Sequence, residues 1–176
     1  MQLQFNKVYH LYNRSNNREL LFKKKENYRY FLRKFKVRFV DYLSVYAYCL
    51  MPTHFHFLIR VETKEIDELR KQIGTHLSSY TKAINKAFDR NGSLFQQHTK
   101  AQLVDDQNYL LTLISYIHQN PVRARLVNNL KEWRYSSYLD LAGYRKGSLV
   151  DHSIIDRYFS SKEEYREFSK RRVSFK

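Results

Sequence analysis

Two segments far apart in the chain carry residue types able to bind a metal ion and to supply a nucleophile. The first is His54-Phe55-His56. On a strand, residues two apart point to the same face, so the two imidazoles converge while Phe55 points the other way. Imidazole nitrogens ligate divalent metals such as Mn, Zn and Fe. By itself a His-x-His pair is equally compatible with two histidines on a solvated strand. Its neighbours decide more: Phe55, Phe57, Ile59 and Val61 make the alternate face wholly apolar. The histidines therefore belong to the open face of the sheet, where a substrate can lie. The second segment runs from Ser115 to Ala124 and contains Tyr116 and Asn120. A helical spacing of four sets a phenol and an amide on one helix face. One tyrosine among 15 is ordinarily a packing residue. Asn120 precedes Pro121, which pushes it out of helical geometry and puts it at the end of its helix.

The apolar pattern supplies the elements that must position these residues. Residues 7–13 read as a strand, with Val8, His10 and Tyr12 on one face and Tyr9 and Leu11 on the other. A polar turn follows at 14–17. Residues 26–39 read as a helix with Tyr28, Phe31, Leu32, Phe35 and Phe39 at three-and-four spacing. Its other face carries Arg29, Arg33, Lys34, Lys36 and Arg38. Residues 43–50 and 54–61 are strands of a hairpin interrupted at Met51-Pro52-Thr53. Residues 66–90 form a long amphipathic helix ended by Asn91-Gly92. Residues 100–104 are a short fourth strand. Residues 106–119 are a further helix, with Leu110, Leu113, Ile114 and Ile117 as its core face and Asp105 or Asp106 as its cap. The order gives an α+β fold: a ferredoxin-like split β-α-β antiparallel sheet with helices on one face and an added helix. After Ala142 the chain is polar and basic, and 154–172 reads as a weakly periodic helical appendage. The expected organisation is one domain over 1–145 and a basic C-terminal extension over 146–176.

Composition narrows the partner. At 176 residues and 43% hydrophobic, the chain can bury one core. Lys and Arg number 32 against 17 Asp and Glu, a net charge of +15. Such an excess favours a polyanion, because each neutralised phosphate releases counterions. Basic charge mixed with 15 Tyr and 12 Phe suits single-stranded nucleic acid, whose bases stack on rings. Cys49 is the only cysteine, which excludes an internal disulfide, and it reads as a small buried residue. There is no apolar signal stretch at the N-terminus and no run of membrane-spanning length, so the expected compartment is the cytoplasm.

The stretch Tyr46-Ala47-Tyr48-Cys49-Leu50-Met51-Pro52-Thr53-His54-Phe55-His56-Phe57-Leu58-Ile59 resembles the signature of the single-tyrosine HUH transposases of insertion sequences. Leu94-Phe95-Gln96, residues 116–127 and Trp133 to Ser137 match further segments, and the likeness is to the REP-associated tyrosine transposases of bacteria, over about residues 5–143. Four such segments in order are far more specific than any one. The resemblance implies His54 and His56 as metal ligands, Asn120 as the residue completing the site, and Tyr116 as nucleophile. It implies a divalent metal, Mg or Mn, and single-stranded or hairpin DNA as partner. It further implies a covalent 5′-phosphotyrosine, a nucleoid-associated bacterial location, and action as a monomer or homodimer. Thr53 stands where the family usually has Asn, and Gln97-His98-Thr99-Lys100 departs from the commoner basic-aromatic version.

Candidate DNA contacts are Arg14 and Arg18 after the first strand, and Lys100, Arg123, Arg125 and Arg134 near the motif segments. Solubilising charge is the alternative for any one of them. Trp133 reads as a packing residue. His118 is the one nearby base candidate, but it lies two residues from Tyr116 and points elsewhere on a helix. Arg171, Arg172 and Lys176 read as a phosphate-attracting tail. Two other readings stay open: a domesticated, non-cutting hairpin binder on the same scaffold, and an RNA-binding domain of similar topology with no metal site.

Overall fold

The computed structural model describes residues 1–171, so the expectations for Arg172 and Lys176 lie outside the described residues. The elements follow the expected order: β1 (Val8–Arg14), α1 (Lys25–Phe39), β2 (Leu43–Met51), β3 (His54–Val61), α2 (Ile66–Ala87), β4 (Lys100–Val104) and α3 (Gln107–Arg123). The four strands make one antiparallel sheet in the order β2-β3-β1-β4. Three short helices follow: α4 (Tyr138–Leu141), α5 (Ser153–Tyr158) and α6 (Lys162–Lys170). No helix among the described residues is long and apolar enough to cross a membrane.

Alternation along β3 and the stripe on α1 meet in an aromatic core. Phe35 stacks on Phe57 with ring centroids 4.2 Å apart. Phe31 packs on Phe55 at 5.5 Å and on the α2 residue Tyr80 at 5.0 Å. The Tyr80 hydroxyl donates to the Leu21 carbonyl at 2.6 Å, which satisfies a buried polar atom. Phe31 is fully buried, whereas Val37 on the same helix is 73% exposed. Replacing Phe31→Ala is expected to cost about 3–5 kcal/mol of stability in urea unfolding, and Val37→Ala less than about 0.5 kcal/mol.

α1 and α2 cover one face, as the alternation requires. The other face is open only in part. α3 lies against β2 and β3, where its stripe of Leu110, Leu113, Ile114 and Ile117 finds a partner. This buries His10, Ala47, Cys49, His56 and Leu58 on the histidine side of the sheet. The face stays exposed toward β1 and β4, at Arg14, Lys100 and Gln102. Asp106 caps α3 by accepting from the Tyr109 amide at 2.6 Å.

α3 does not stop before Pro121 but runs through it to Arg123. Proline lacks the N–H that would bond the Ile117 carbonyl. The Asn120 side-chain amide stands in, donating to the carbonyls of Tyr116 at 2.9 Å and Ile117 at 3.5 Å. The expected appendage over 154–172 is two helices, because Phe159 is extended and Ser161 caps α6 by accepting from Glu164.

The outer edge of β2 is covered by later chain. The Leu50 amide donates to Tyr135, the Ser137 amide to Tyr48, and the Asp151 amide to Val45, at 2.8–3.0 Å. Such cover removes an edge that would otherwise pair with another strand. His118 ties this segment to α3 and α6, bonding Ser137 Oγ and the Tyr165 hydroxyl, each at 2.8 Å. His76 is buried against the rings of Phe31, Phe35 and Phe39.

Burial pushes the pKa of both His76 and His118 down to about 3. Unfolded, each titrates near the ordinary value of about 6.5, so the unfolded chain binds more protons below that pH. Stability is therefore full above about pH 6.5. It falls as the pH drops toward 3, by up to about 1.4 kcal/mol per pH unit for each histidine. Urea unfolding at pH 7, 6 and 5 is expected to show this slope, and a folded His118→Gln variant a shallower one.

Candidate active site

Period two on β3 sends His54 and His56 to one side of the sheet, and the register sets Arg14 opposite His54 and Tyr12 opposite His56. The two histidine rings lie 5.1 Å apart at 85°. In each ring Nδ1 has a partner: Thr53 Oγ1 at 3.2 Å for His54, and His10 Nε2 at 2.9 Å for His56. Nε2 is the remaining ligating atom in both. The hydroxyl of Thr53 thus steadies the His54 ring. Burial, then the Arg14 guanidinium, lowers the pKa of His54. Burial, then His10 and His54, holds His56 well below the ordinary histidine range. Both imidazoles are neutral at pH 7, the form that offers a lone pair to a metal.

α3 brings Tyr116 to the pair. Its ring centroid lies 6.0 Å from that of His56, edge-on at 79°. His54, His56 and Tyr116 share a cleft of about 370 Å³ with Tyr12, Asn13, Arg14, Gln96, His98 and Lys100. Arg14 is held by its Nε–H donating to Gln96 Oε1 at 3.0 Å. The loop bearing Gln96 and His98 is fastened to β1, because the Asn13 amide donates to Gln96 O at 3.1 Å and to Thr99 Oγ1 at 2.9 Å. The Arg123 guanidinium lies 5.4 Å from the Tyr116 ring centroid. Arg18 lines an adjoining cleft of about 470 Å³ that shares Arg14, His54 and Gln96.

Some expected residues stand elsewhere. Asn120 is one turn from Tyr116 on α3, but its amide nitrogen is bonded to the helix backbone and it does not line the cleft. Arg125 and Arg134 are exposed and do not line it either. Trp133 packs, donating from Nε1 to the Leu50 carbonyl at 3.0 Å. His118 is buried on the far side of α3 from the chemistry, between Ser137 and Tyr165, and is no base for Tyr116.

Comparison with known proteins sets this geometry in a family. A family model described as IS200-like transposase matches residues 3–120. The chain belongs to the IS200-like transposase family. A Haemophilus influenzae protein, named provisionally as a REP-associated tyrosine transposase, is 28% identical over 100 residues. The match takes in 52% of this chain and 57% of that protein's length. A solved structure of a REP-associated tyrosine transposase bound to a REP hairpin superposes with a TM-score of 0.66. It is 16% identical and covers 88% of this chain and 93% of that one, a likeness of fold.

Five residues at the site of this IS200-like transposase fall outside the expected set: His10, Tyr12, Asn13, Gln96 and His98. A periodic signal exists for two of them. His10 and Tyr12 share a strand face, and the split β-α-β order sets that strand beside the histidine strand. Gln96 and His98 lie on a loop placed by long-range hydrogen bonds; the family resemblance of the 94–100 stretch points to them, and periodicity does not. Among the described residues, no group of three or more His, Cys, Asp or Glu side chains is placed to hold an ion. What the cleft offers is two neutral imidazoles, a phenol and flanking cations.

Proposed function

We propose that this protein is a metal-dependent single-strand DNA endonuclease and strand transferase that acts on hairpin-bearing DNA through a covalent 5′-phosphotyrosine. The observation that carries this reading is the convergence of Tyr116 with His54 and His56 on one cleft, from separate parts of the chain. The two imidazoles fit a divalent ion, Mg or Mn: both are neutral, and both have Nδ1 engaged so that Nε2 remains. His54 and His56 would hold the ion; Asn120, the expected third ligand, does not line the cleft. When bound, the ion would polarise the scissile phosphate and offset the charge developing on it.

The Tyr116 hydroxyl attacks phosphorus, so the tyrosyl O–P bond forms as the bond to the 3′ oxygen breaks. The phenolic proton leaves, and the departing oxygen ends as a free 3′-OH. One phosphoester replaces another, so a 3′-OH can attack the tyrosyl phosphate and reseal without ATP. Arg14 and Lys100 at the cleft, Arg18 in the adjoining one and Arg123 beside Tyr116 position DNA phosphates. The chemistry resides in residues 1–145, and the basic 146–176 extension adds attraction for DNA.

The test is incubation with single-stranded hairpins drawn from the DNA flanking the gene, with Mn or Mg. A covalent protein–DNA adduct that survives SDS is the expected product. Hairpin binding without any adduct favours the second reading, a non-cutting hairpin binder. The Asn120 amide bonded to its own helix is the observation on that side.

A further inference from the structure

We propose that His10 is a positioning residue for the metal site, holding His56 in the tautomer whose Nε2 lone pair is available to the ion. The inference rests on the metal-dependent function proposed above. His10 Nε2 and His56 Nδ1 are 2.9 Å apart, and the two ring planes lie 23° from parallel with centroids 5.1 Å apart. Both side chains are buried, at 5% and 8% exposure. A neutral imidazole carries one proton on its two nitrogens. Ligation through Nε2 therefore requires the His56 proton on Nδ1, which is turned into the protein toward His10. A buried N–H left without an acceptor opposes that tautomer. His10 supplies the acceptor when its own proton is on Nδ1. With the bond reversed, His10 donates, the His56 proton moves to Nε2, and no lone pair is left for an ion. The Nδ1 partner of His54 is a half-buried threonine hydroxyl that rotates to donate or accept, so it fixes no tautomer. The tautomer constraint on the site comes from His10.

Calorimetric titration of the full chain with MnCl₂ tests this. His10→Phe keeps a ring without an acceptor and is expected to weaken Mn binding about 10- to 100-fold. His10→Gln, whose carbonyl oxygen accepts near the place of Nε2, is expected to recover most of it. Hairpin affinity measured in EDTA should change little in either variant, which separates positioning from loss of structure. A second measurement needs no variant. In ¹⁵N-histidine-labelled parent protein without metal, a through-hydrogen-bond N–N coupling should link His56 Nδ1 to His10 Nε2, with the proton on His56. A proton on His10 Nε2, or a folded His10→Phe that binds Mn as tightly as the parent while His56→Ala does not, overturns the role of His10 and leaves the metal reading standing. A parent that binds no Mn overturns both.

Discussion

Replacing Tyr116→Phe is expected to abolish the covalent DNA adduct, a loss on the order of 10⁴-fold or more, as when a covalent catalyst loses its nucleophile. Phenylalanine keeps the ring, so the edge-on contact with His56 and the Arg123 approach survive. Tyr116 is half-buried, and removing one oxygen is expected to shift stability by less than about 1 kcal/mol. Hairpin affinity should stay within about threefold, since phosphate contacts rather than the phenol position DNA. A labelled hairpin with Mn, resolved on a denaturing gel, reads the adduct, and fluorescence anisotropy reads the affinity. An undiminished adduct in the variant rejects Tyr116 as nucleophile.

A smaller but still large loss is expected at His56→Ala. The substitution removes one proposed metal ligand, leaves His10 Nε2 without its partner, and opens a void among the rings of His10, Tyr12 and Tyr116. Losing several kcal/mol of charge stabilisation at the transition state corresponds to about 10²–10⁴-fold in rate. Stability should fall by about 1–3 kcal/mol for the orphaned buried nitrogen. His54 is more exposed and its ring bonds the side chain of Thr53, so His54→Ala should lose comparable activity with less effect on stability. Adduct formation at the parent rate by folded His56→Ala, with Mn in excess, would show that the pair holds no catalytic ion.

The parts of this arrangement that follow local periodicity were legible in the chain. The stripe from Tyr28 to Phe39 specifies α1, and alternation over His54 to Val61 sets both imidazoles on one side of β3. The sheet order follows from the succession of elements. The approach of Tyr116 is different in kind. Spacing puts it on a helix, but where that helix docks depends on contacts such as those of His118 with Ser137 and Tyr165, distant in sequence. The nucleophile role proposed for it rests on family resemblance rather than on any local pattern. Pro121 misleads by a sound local rule, which the Asn120 amide overrides. Gln96 and His98 stand out only by resemblance and carry no periodic signal, because Asn13 holds their loop from more than 80 residues away.

The covered edge of β2 has a consequence for the birth of the molecule. Tyr48 meets Ser137, its edge partner, across 89 residues of sequence. At a ribosomal rate of about 5–20 residues per second, some 4–18 seconds separate the synthesis of the strand from that of its cover. Through that interval a nascent sheet built around α1 and α2 exposes a hydrogen-bonding rim, ready to capture the same rim on a neighbouring polysome product. Folding yield should therefore depend on translation speed and chaperone supply more than the compact final state implies, and a stop codon before residue 135 should send the chain to inclusion bodies.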